Sequence, residues 1–176
     1  MAAGTIAAKG SKDQYANIAY TLVNQTAANT LFFQSIQLAV GLFQGIAMVL
    51  HRIYYMPFVA ALRELVAATD SMTLAVTSSN RLAVIQDTND PAIIDSWRWS
   101  CIGVPVGTME TPYIRDFTNL PGGGKLIAAN PIYGAMMSSG FGAVQGAAIK
   151  LEFTFIELAD RDYMELIQAQ FPANVV

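Results

Sequence analysis

The segment that most constrains this fold lies near the C-terminus, between Ile149 and Phe155. Apolar and polar side chains alternate there without interruption: Ile149, Leu151, Phe153 and Phe155 against Lys150, Glu152 and Thr154. A period of two residues is typical of a β-strand with one buried face. Two phenylalanines on that face require a thick core, so the segment predicts a long antiparallel strand that closes a β-sandwich.

Further strands are predicted at residues 31–40, 45–56, 71–78, 93–104, 125–129 and 132–137. Pro57 ends the second of these, because proline cannot donate to a sheet ladder. Short helices are predicted at 58–67 and from Asp160 to Gln170, where Asp160 is a natural N-cap. The pattern predicts an all-β fold: an antiparallel β-sandwich, or single jelly roll, of about eight strands with one or two short helices.

Residues 1–29 are predicted to form an extended N-terminal arm, and residues 30–176 a single sandwich domain with a short C-terminal tail. The arm has aromatic and aliphatic side chains that favour packing against a neighbour over disorder. Its candidate assembly residues are Tyr15, Ile18, Tyr20 and Leu22. The N-terminus has no continuous apolar core, so no signal peptide is expected.

A transmembrane helix over Leu31–Leu50 is an alternative, because no charged residue occurs between Asp13 and His51. A span of about 20 residues fits a bilayer. Polar residues inside the span and a strand-like alternation at 35–38 favour two strands instead. If the helix formed, the protein would be a membrane-anchored subunit.

The composition favours assembly over life as a free monomer. Hydrophobic residues make up 53% of the chain and charged residues 13%. So few charges cover a free surface poorly, which favours burial in a membrane or against other subunits. The ten Lys and Arg residues are scattered singly, so direct nucleic-acid binding is not predicted.

No motif predicts catalysis or a cofactor. His51 is the only histidine, and no Gly-x-Ser-x-Gly nucleophile elbow accompanies it. The run Pro121–Lys125 lacks the flanking Gly and Ser or Thr of a phosphate-binding loop, because Asn119 and Leu126 occupy those positions. Cys101 is the single cysteine, which excludes an internal disulfide framework.

Two ligand-binding possibilities remain open. Asp87, Asn89 and Asp90 supply oxygen atoms of the kind calcium prefers, although Asx residues before a proline are typical of turns. Trp97 and Trp99 lie two residues apart and share a face of the predicted strand. Such a pair can stack on a sugar, whereas packing in a core or an interface is the ordinary interpretation.

The order of these elements resembles the single jelly-roll capsid proteins of tailless icosahedral viruses. The resemblance rests on the apolar arm, strands such as Ile46–Met56 and Ser71–Ser78, the Pro/Gly-rich region and the final strand Ile149–Leu158. It implies a shell-building subunit of the virion, without catalytic residues or cofactors, that contacts itself and other capsid proteins. Many such arms are Arg-rich, whereas this one has only Lys9 and Lys12. That departure implies contact with an inner membrane or another protein instead of the genome.

The sequence therefore predicts a self-assembling structural protein, virion-associated or otherwise intracellular, and not an enzyme. The polar face of the final strand, with Lys150 and Glu152, is a candidate for setting the register between subunits. A monomeric carbohydrate- or lipid-binding β-sandwich, with Trp97 and Trp99 at its site, is the alternative from a different class.

Overall fold

The described residues of the computed structural model form ten strands and one helix. They comprise residues 8–11, 16–36, 38, 45–58, 65, 67, 69–86, 89–100, 112–128 and 131–170. The elements are β1 (Ala8–Ser11), β2 (Asn17–Asn24), β3 (Phe32–Ile36), β4 (Ile46–Pro57), β5 (Ser71–Thr77), β6 (Ile93–Ser100), β7 (Tyr113–Asp116), β8 (Lys125–Ile127), β9 (Ile132–Ser139), β10 (Gly146–Leu158) and α1 (Asp160–Gln170).

Antiparallel pairing arranges the strands in two sheets that pack face to face. The first sheet has the order β2–β10–β4–β7, with β1 in line with β2 and β8 in line with β7. The second sheet has the order β3–β9–β5–β6. If each in-line pair is counted as one interrupted strand, this is the strand order of a single jelly roll. The predicted fold class is confirmed.

The core lies between the sheets, because every central strand turns its apolar residues inward. Full burial of one large apolar side chain contributes roughly 1.5–3 kcal/mol, so these positions stabilise the fold most. On the central strands, the largest fully buried side chains are Leu50, Ile53 and Tyr55 on β4, Met72 and Leu74 on β5, Ile132 and Met136 on β9, and Ile149, Leu151 and Phe153 on β10.

The two sheets differ in how their outer faces are covered. The segment after β5 folds over the second sheet and buries Ile85 against Ala75 and Ala135. As a result, every residue of β5 is buried on both sides. The outer face of the first sheet instead carries half-buried and exposed side chains along β2, β4 and β10.

A β-bulge at His51 divides β4 into two halves. Glu152 pairs with Arg52 and Phe153 with Leu50, so His51 is the extra residue on β4. The strand next to β4 is interrupted at the same place, since β7 pairs with residues 52–55 and β8 with residues 48–50. The intervening loop folds back onto the bulge through a backbone hydrogen bond from Phe117 N to His51 O of 2.8 Å.

The region predicted to be an extended arm contains two strands of the first sheet. β2 pairs with β10 along its whole length, from Asn17 opposite Phe153 to Asn24 opposite Gly146. Its backbone is extended, but it completes a sheet of its own chain. Tyr15 lies outside the described residues. β7 was not among the predicted strands, because it lies in the Pro/Gly-rich region; it pairs with β4.

The alternative of one transmembrane helix over Leu31–Leu50 is wrong, because this span begins with β3 and ends within β4. Within the described ranges, no helix is long and apolar enough to cross a membrane. The helix predicted at 58–67 falls largely outside the described residues. The helix predicted from Asp160 to Gln170 is confirmed as α1, with Asp160 and Asp162 in its first turn.

Candidate interaction surface

The outer face of the first sheet brings side chains from four strands into parallel rows. In one row, Tyr20, Lys150, Tyr54 and Ile114 lie in register on β2, β10, β4 and β7. In the next row, the register aligns Ile18, Glu152, Arg52 and Asp116. Side chains that are far apart in the sequence therefore form one continuous surface, which we call the outer face.

The β2 end of the outer face is apolar. Ile18, Tyr20 and Leu22 are 64%, 56% and 45% exposed, whereas the alternate residues of the strand face the core. The limited space between the sheets explains this orientation. A Cβ added at Gly134 of β9 would lie 3.0 Å from methyl groups of both Thr21 and Val23. The small residues of β2 thus fit the tight interior, and its large ones are directed to solvent.

A charged cluster occupies the centre of the outer face. Lys150 Nζ lies 3.2 Å from Glu152 Oε1 and 4.3 Å from the ring centroid of Tyr54. The Tyr54 hydroxyl donates to the same Glu152 oxygen at 2.8 Å. Burial alone raises the pKa of Glu152, but the Tyr54 hydrogen bond and the Lys150 ammonium outweigh it, so the pKa lies below its usual value.

Arg52 extends the cluster toward β7. Its NH1 lies 3.5 Å from Glu152 Oε2, and its Nε donates to Asp116 Oδ2 at 2.9 Å. Asp116 also accepts from the Thr118 hydroxyl at 2.6 Å and the Thr118 backbone N–H at 2.8 Å. These Thr118 hydrogen bonds, followed by that from Arg52, lower the pKa of Asp116 to about 2. The four charges alternate in sign across the sheet.

His51 is held by hydrogen bonds at both ring nitrogens. Nδ1 lies 2.9 Å from the Gly123 carbonyl, to which it donates, and Nε2 lies 3.0 Å from the Thr154 hydroxyl. The side chain therefore fastens the loop between β7 and β8 to the sheet. Gly122 and Gly123 have φ values of 88° and 77°, so the glycine run forms a tight turn there.

The side of the sandwich between β6 and β7 is closed by polar contacts. Tyr55 donates to Asp95 Oδ2 at 3.0 Å, and Arg115 Nε lies 3.2 Å from Asp95 Oδ1. Burial raises the pKa of the Asp95 carboxyl, and burial also raises that of the Tyr55 hydroxyl. Lys125 donates from Nζ to the Ile94 carbonyl, and burial lowers its pKa. These groups join the two sheets and leave Asp95 only 8% exposed.

Trp97 and Trp99 do not present a shared open platform. Trp99 is buried in the core, and its ring meets that of Trp97 edge-on with centroids 6.4 Å apart. Trp97 stacks on Tyr113 with ring centroids 3.6 Å apart and an interplanar angle of 10°. One face of Trp97 is therefore already covered by the first sheet.

The calcium candidates are only partly described. Asp87 lies outside the described residues. Asp90 Oδ1 accepts from the Ala92 N–H at 2.8 Å, and the Asp90 carbonyl accepts from Ile93 N, which is a turn-forming role. Within the part of the chain that the structure describes, no group of three or more His, Cys, Asp or Glu is placed to hold a metal ion.

Five of the six assembly candidates lie together on the outer face: Ile18, Tyr20, Leu22, Lys150 and Glu152. The sequence did not single out Arg52, Tyr54, Ile114 or Asp116 as members of the same surface. Tyr54 could have been found from the alternation within β4. Asp116 could not, because its segment shows no strand pattern in the sequence and is identified as a strand only by its pairing with β4.

No protein family and no curated protein sequence matches this chain. Among solved structures, the chain is similar to a protein of Bacillus endospore appendages, described as forming a novel family of disulfide-linked pili. The two have 9% sequence identity and a TM-score of 0.35, over 86% of this chain and 98% of the other. Likeness of this degree carries no argument about what the chain does.

Proposed function

We propose that this chain is a self-assembling structural subunit that uses the outer face of the first sheet as a contact surface. The observation that carries the proposal is the row of Ile18, Tyr20 and Leu22, each roughly half exposed or more on one strand. Contiguous apolar side chains on a surface mark protein contact sites, whereas scattered ones do not. Burial against another subunit stabilises the assembly by roughly 25 cal/mol per Å² of apolar surface removed from water.

The charged cluster beside this row supports the same role. Protein interfaces combine an apolar centre with polar groups near its margin, and fixed charges set the register between partners. Lys150 and Glu152 lie directly next to Tyr20 and Ile18 on the neighbouring strand. They are therefore placed to orient whatever covers the apolar row.

At a finer level, we infer that the assembly is a viral capsid and that the subunit belongs to the virion, without catalytic role or cofactor. The support is the jelly-roll strand order, which capsid proteins share with lectins and cupins. This step is an analogy from fold, because one fold hosts many functions. The partners would be further copies, other capsid proteins and an inner membrane, and not nucleic acid.

The proposal is tested by measuring the size of the purified protein. Light scattering should give masses far above that of the 19.0 kDa chain, and negative-stain images should show closed shells. Tubes or fibres would retain self-assembly and contradict the capsid. A 19.0 kDa monomer that persists at high concentration and binds glycans or lipid would overturn the proposal in favour of a binding module.

A further inference from the structure

The backbone of β2 directs alternate hydrogen-bonding groups away from the sheet. Gln25 N donates to Gln145 O at 3.0 Å, and this pair continues the register of β2 against β10. The odd-numbered residues of β2 therefore direct their backbone N–H and C=O groups toward β10. In an antiparallel ladder the alternate residues direct their N–H and C=O groups to the opposite side. Those residues are Ile18, Tyr20 and Leu22. Among the described strands, only β10 pairs with β2, so these groups face an open edge.

β2 itself has none of the features with which proteins protect exposed strands. Lysine, proline, inward-pointing charge and very short strands are the usual protection against pairing with another chain. From Ala16 to Thr30 the sequence has no charged residue and no proline. β2 is eight residues long and carries apolar side chains at the same three positions whose backbone groups face outward.

We propose that β2 pairs antiparallel with β2 of a second copy of this chain, about a two-fold axis that passes between the two Tyr20 residues. In this register Ile18 faces Leu22 of the second copy, Tyr20 faces Tyr20, and Leu22 faces Ile18. The inference rests on the proposed function and deepens it, because it names the partner, the strand and the register of one assembly contact.

The register follows from the strand itself. A shift of one residue would place side chains on opposite faces of the joined sheet. A shift of two residues would leave at least one of the three apolar side chains opposite an unlike partner. The centred register matches all three pairs, and each hydrogen-bonded pair exchanges two N–H···O=C bonds, about six in total. The two first sheets would then form one continuous sheet across the axis.

Cysteine cross-linking of the full chain tests the register. In a Cys101→Ser background, Tyr20→Cys places two thiols opposite each other, with Cα atoms about 5.5 Å apart, within disulfide range. Mild oxidation should convert most of this variant to a covalent dimer. Ile18→Cys alone is the matched control, because its two copies would lie about 13 Å apart along the strands. The Ile18→Cys, Leu22→Cys double variant should also cross-link, because position 18 of one copy faces position 22 of the second copy. This variant retains Tyr20.

The outcomes separate this inference from the proposed function. Cross-linking of Tyr20→Cys and of the double variant, well above that of Ile18→Cys alone, is the expected result, and it stands even if no shell forms. Shells of the unsubstituted protein, together with equal or absent cross-linking in all three variants, would overturn the two-fold contact and leave the shell proposal intact. Melting temperatures equal to that of the background protein verify that each variant is folded.

Discussion

The β2 segment and the β7/β8 edge, on opposite sides of the first sheet, are built in different ways. β2 is an uncharged strand of eight residues with exposed apolar side chains, and the four-residue β1 lies in line with it. The other edge is divided into β7 and β8, of four and three residues, and carries Arg115, Asp116 and Lys125. The Gln170 amide of α1 also covers β8, since it donates to Leu126 O at 2.8 Å and accepts from Ala128 N at 2.9 Å.

This difference indicates how a sheet protein controls association. Short strands, charges and a side-chain amide in the place of a neighbouring strand protect the β7/β8 edge within its own chain. The β2 edge has no such protection in the described residues. A substitution at the β2 edge should therefore change assembly and leave the stability of the isolated subunit unchanged, whereas a substitution at the β7/β8 edge should change the stability of the subunit first.

The largest effect is expected from lysine at both Ile18 and Leu22. The charges would prevent burial of the apolar row, so the particle mass should fall to that of the 19.0 kDa chain. Both side chains are exposed in the subunit, so at a concentration at which neither protein assembles the melting temperature should move by no more than about 2 °C. Light scattering and calorimetry measure the two quantities. Val84→Lys, at a position 48% exposed in the loop after β5, is the control and should still assemble.

On the protected edge, Arg115→Met should lower stability by about 1–3 kcal/mol at neutral pH, because it removes the cation that pairs directly with the buried Asp95 carboxylate. Burial holds the Asp95 pKa above its usual value, and loss of Arg115 raises it further. A raised carboxyl pKa favours the folded state at low pH, and this contribution declines as pH rises above 3.8. The loss should thus be smaller at pH 4 than at pH 7.

Urea unfolding at the two pH values measures this effect, with the exposed Arg81→Met as the matched control. An equal loss of stability at both pH values would show that Arg115 does not influence the protonation of Asp95. Loss of assembly with unchanged stability would contradict the contrast between the two edges.

A smaller effect is expected from Gln170→Ala. The substitution removes both hydrogen bonds that cover β8, which should cost about 1–2 kcal/mol. The Ala128 amide should also exchange with solvent faster, because it loses its acceptor. Gln168→Ala, at an exposed position of the same helix, should change neither quantity. Protection of Ala128 that survives Gln170→Ala would show that the helix does not guard this edge.

The smallest change in stability is expected from Lys150→Gln combined with Glu152→Gln. Ion pairs near a surface contribute about 0–1 kcal/mol, so the melting temperature should barely move. The particle yield or geometry should change, because the cluster is proposed to set the register between subunits. Electron microscopy measures both, and unchanged particles would argue against that role.

The sequence predicted the central strands well. β4 and β10 bury one face and therefore alternate, and β5 alternates large apolar with small or polar side chains although both of its faces are buried. It did not show that β2 belongs to the sheet, because the large side chains of β2 point outward and the small ones inward. That inversion depends on Gly134 of β9, which brings the second sheet close to Thr21 and Val23. The partner is more than a hundred residues away in the sequence, so no local pattern reveals it.

The outer face was predictable only in part. Alternation identified Lys150 and Glu152, and the apolar character of the N-terminal region identified Ile18, Tyr20 and Leu22. Arg52 and Asp116 were not identified, because the bulge at His51 breaks the alternation of β4 and shifts Arg52 to the outer face. β7 itself is four residues long, too short for a sequence period to show.

The most direct test of an open β2 edge is amide hydrogen exchange of the Tyr20 N–H in the assembled protein and in the Ile18→Lys, Leu22→Lys variant. We expect the Tyr20 amide to be protected in the assembly and to exchange rapidly in the variant, whereas the Thr21 amide, which bonds to β10, is protected in both. If the Tyr20 amide exchanges as fast in the assembled protein as in the variant, β2 is not the strand through which the subunits join.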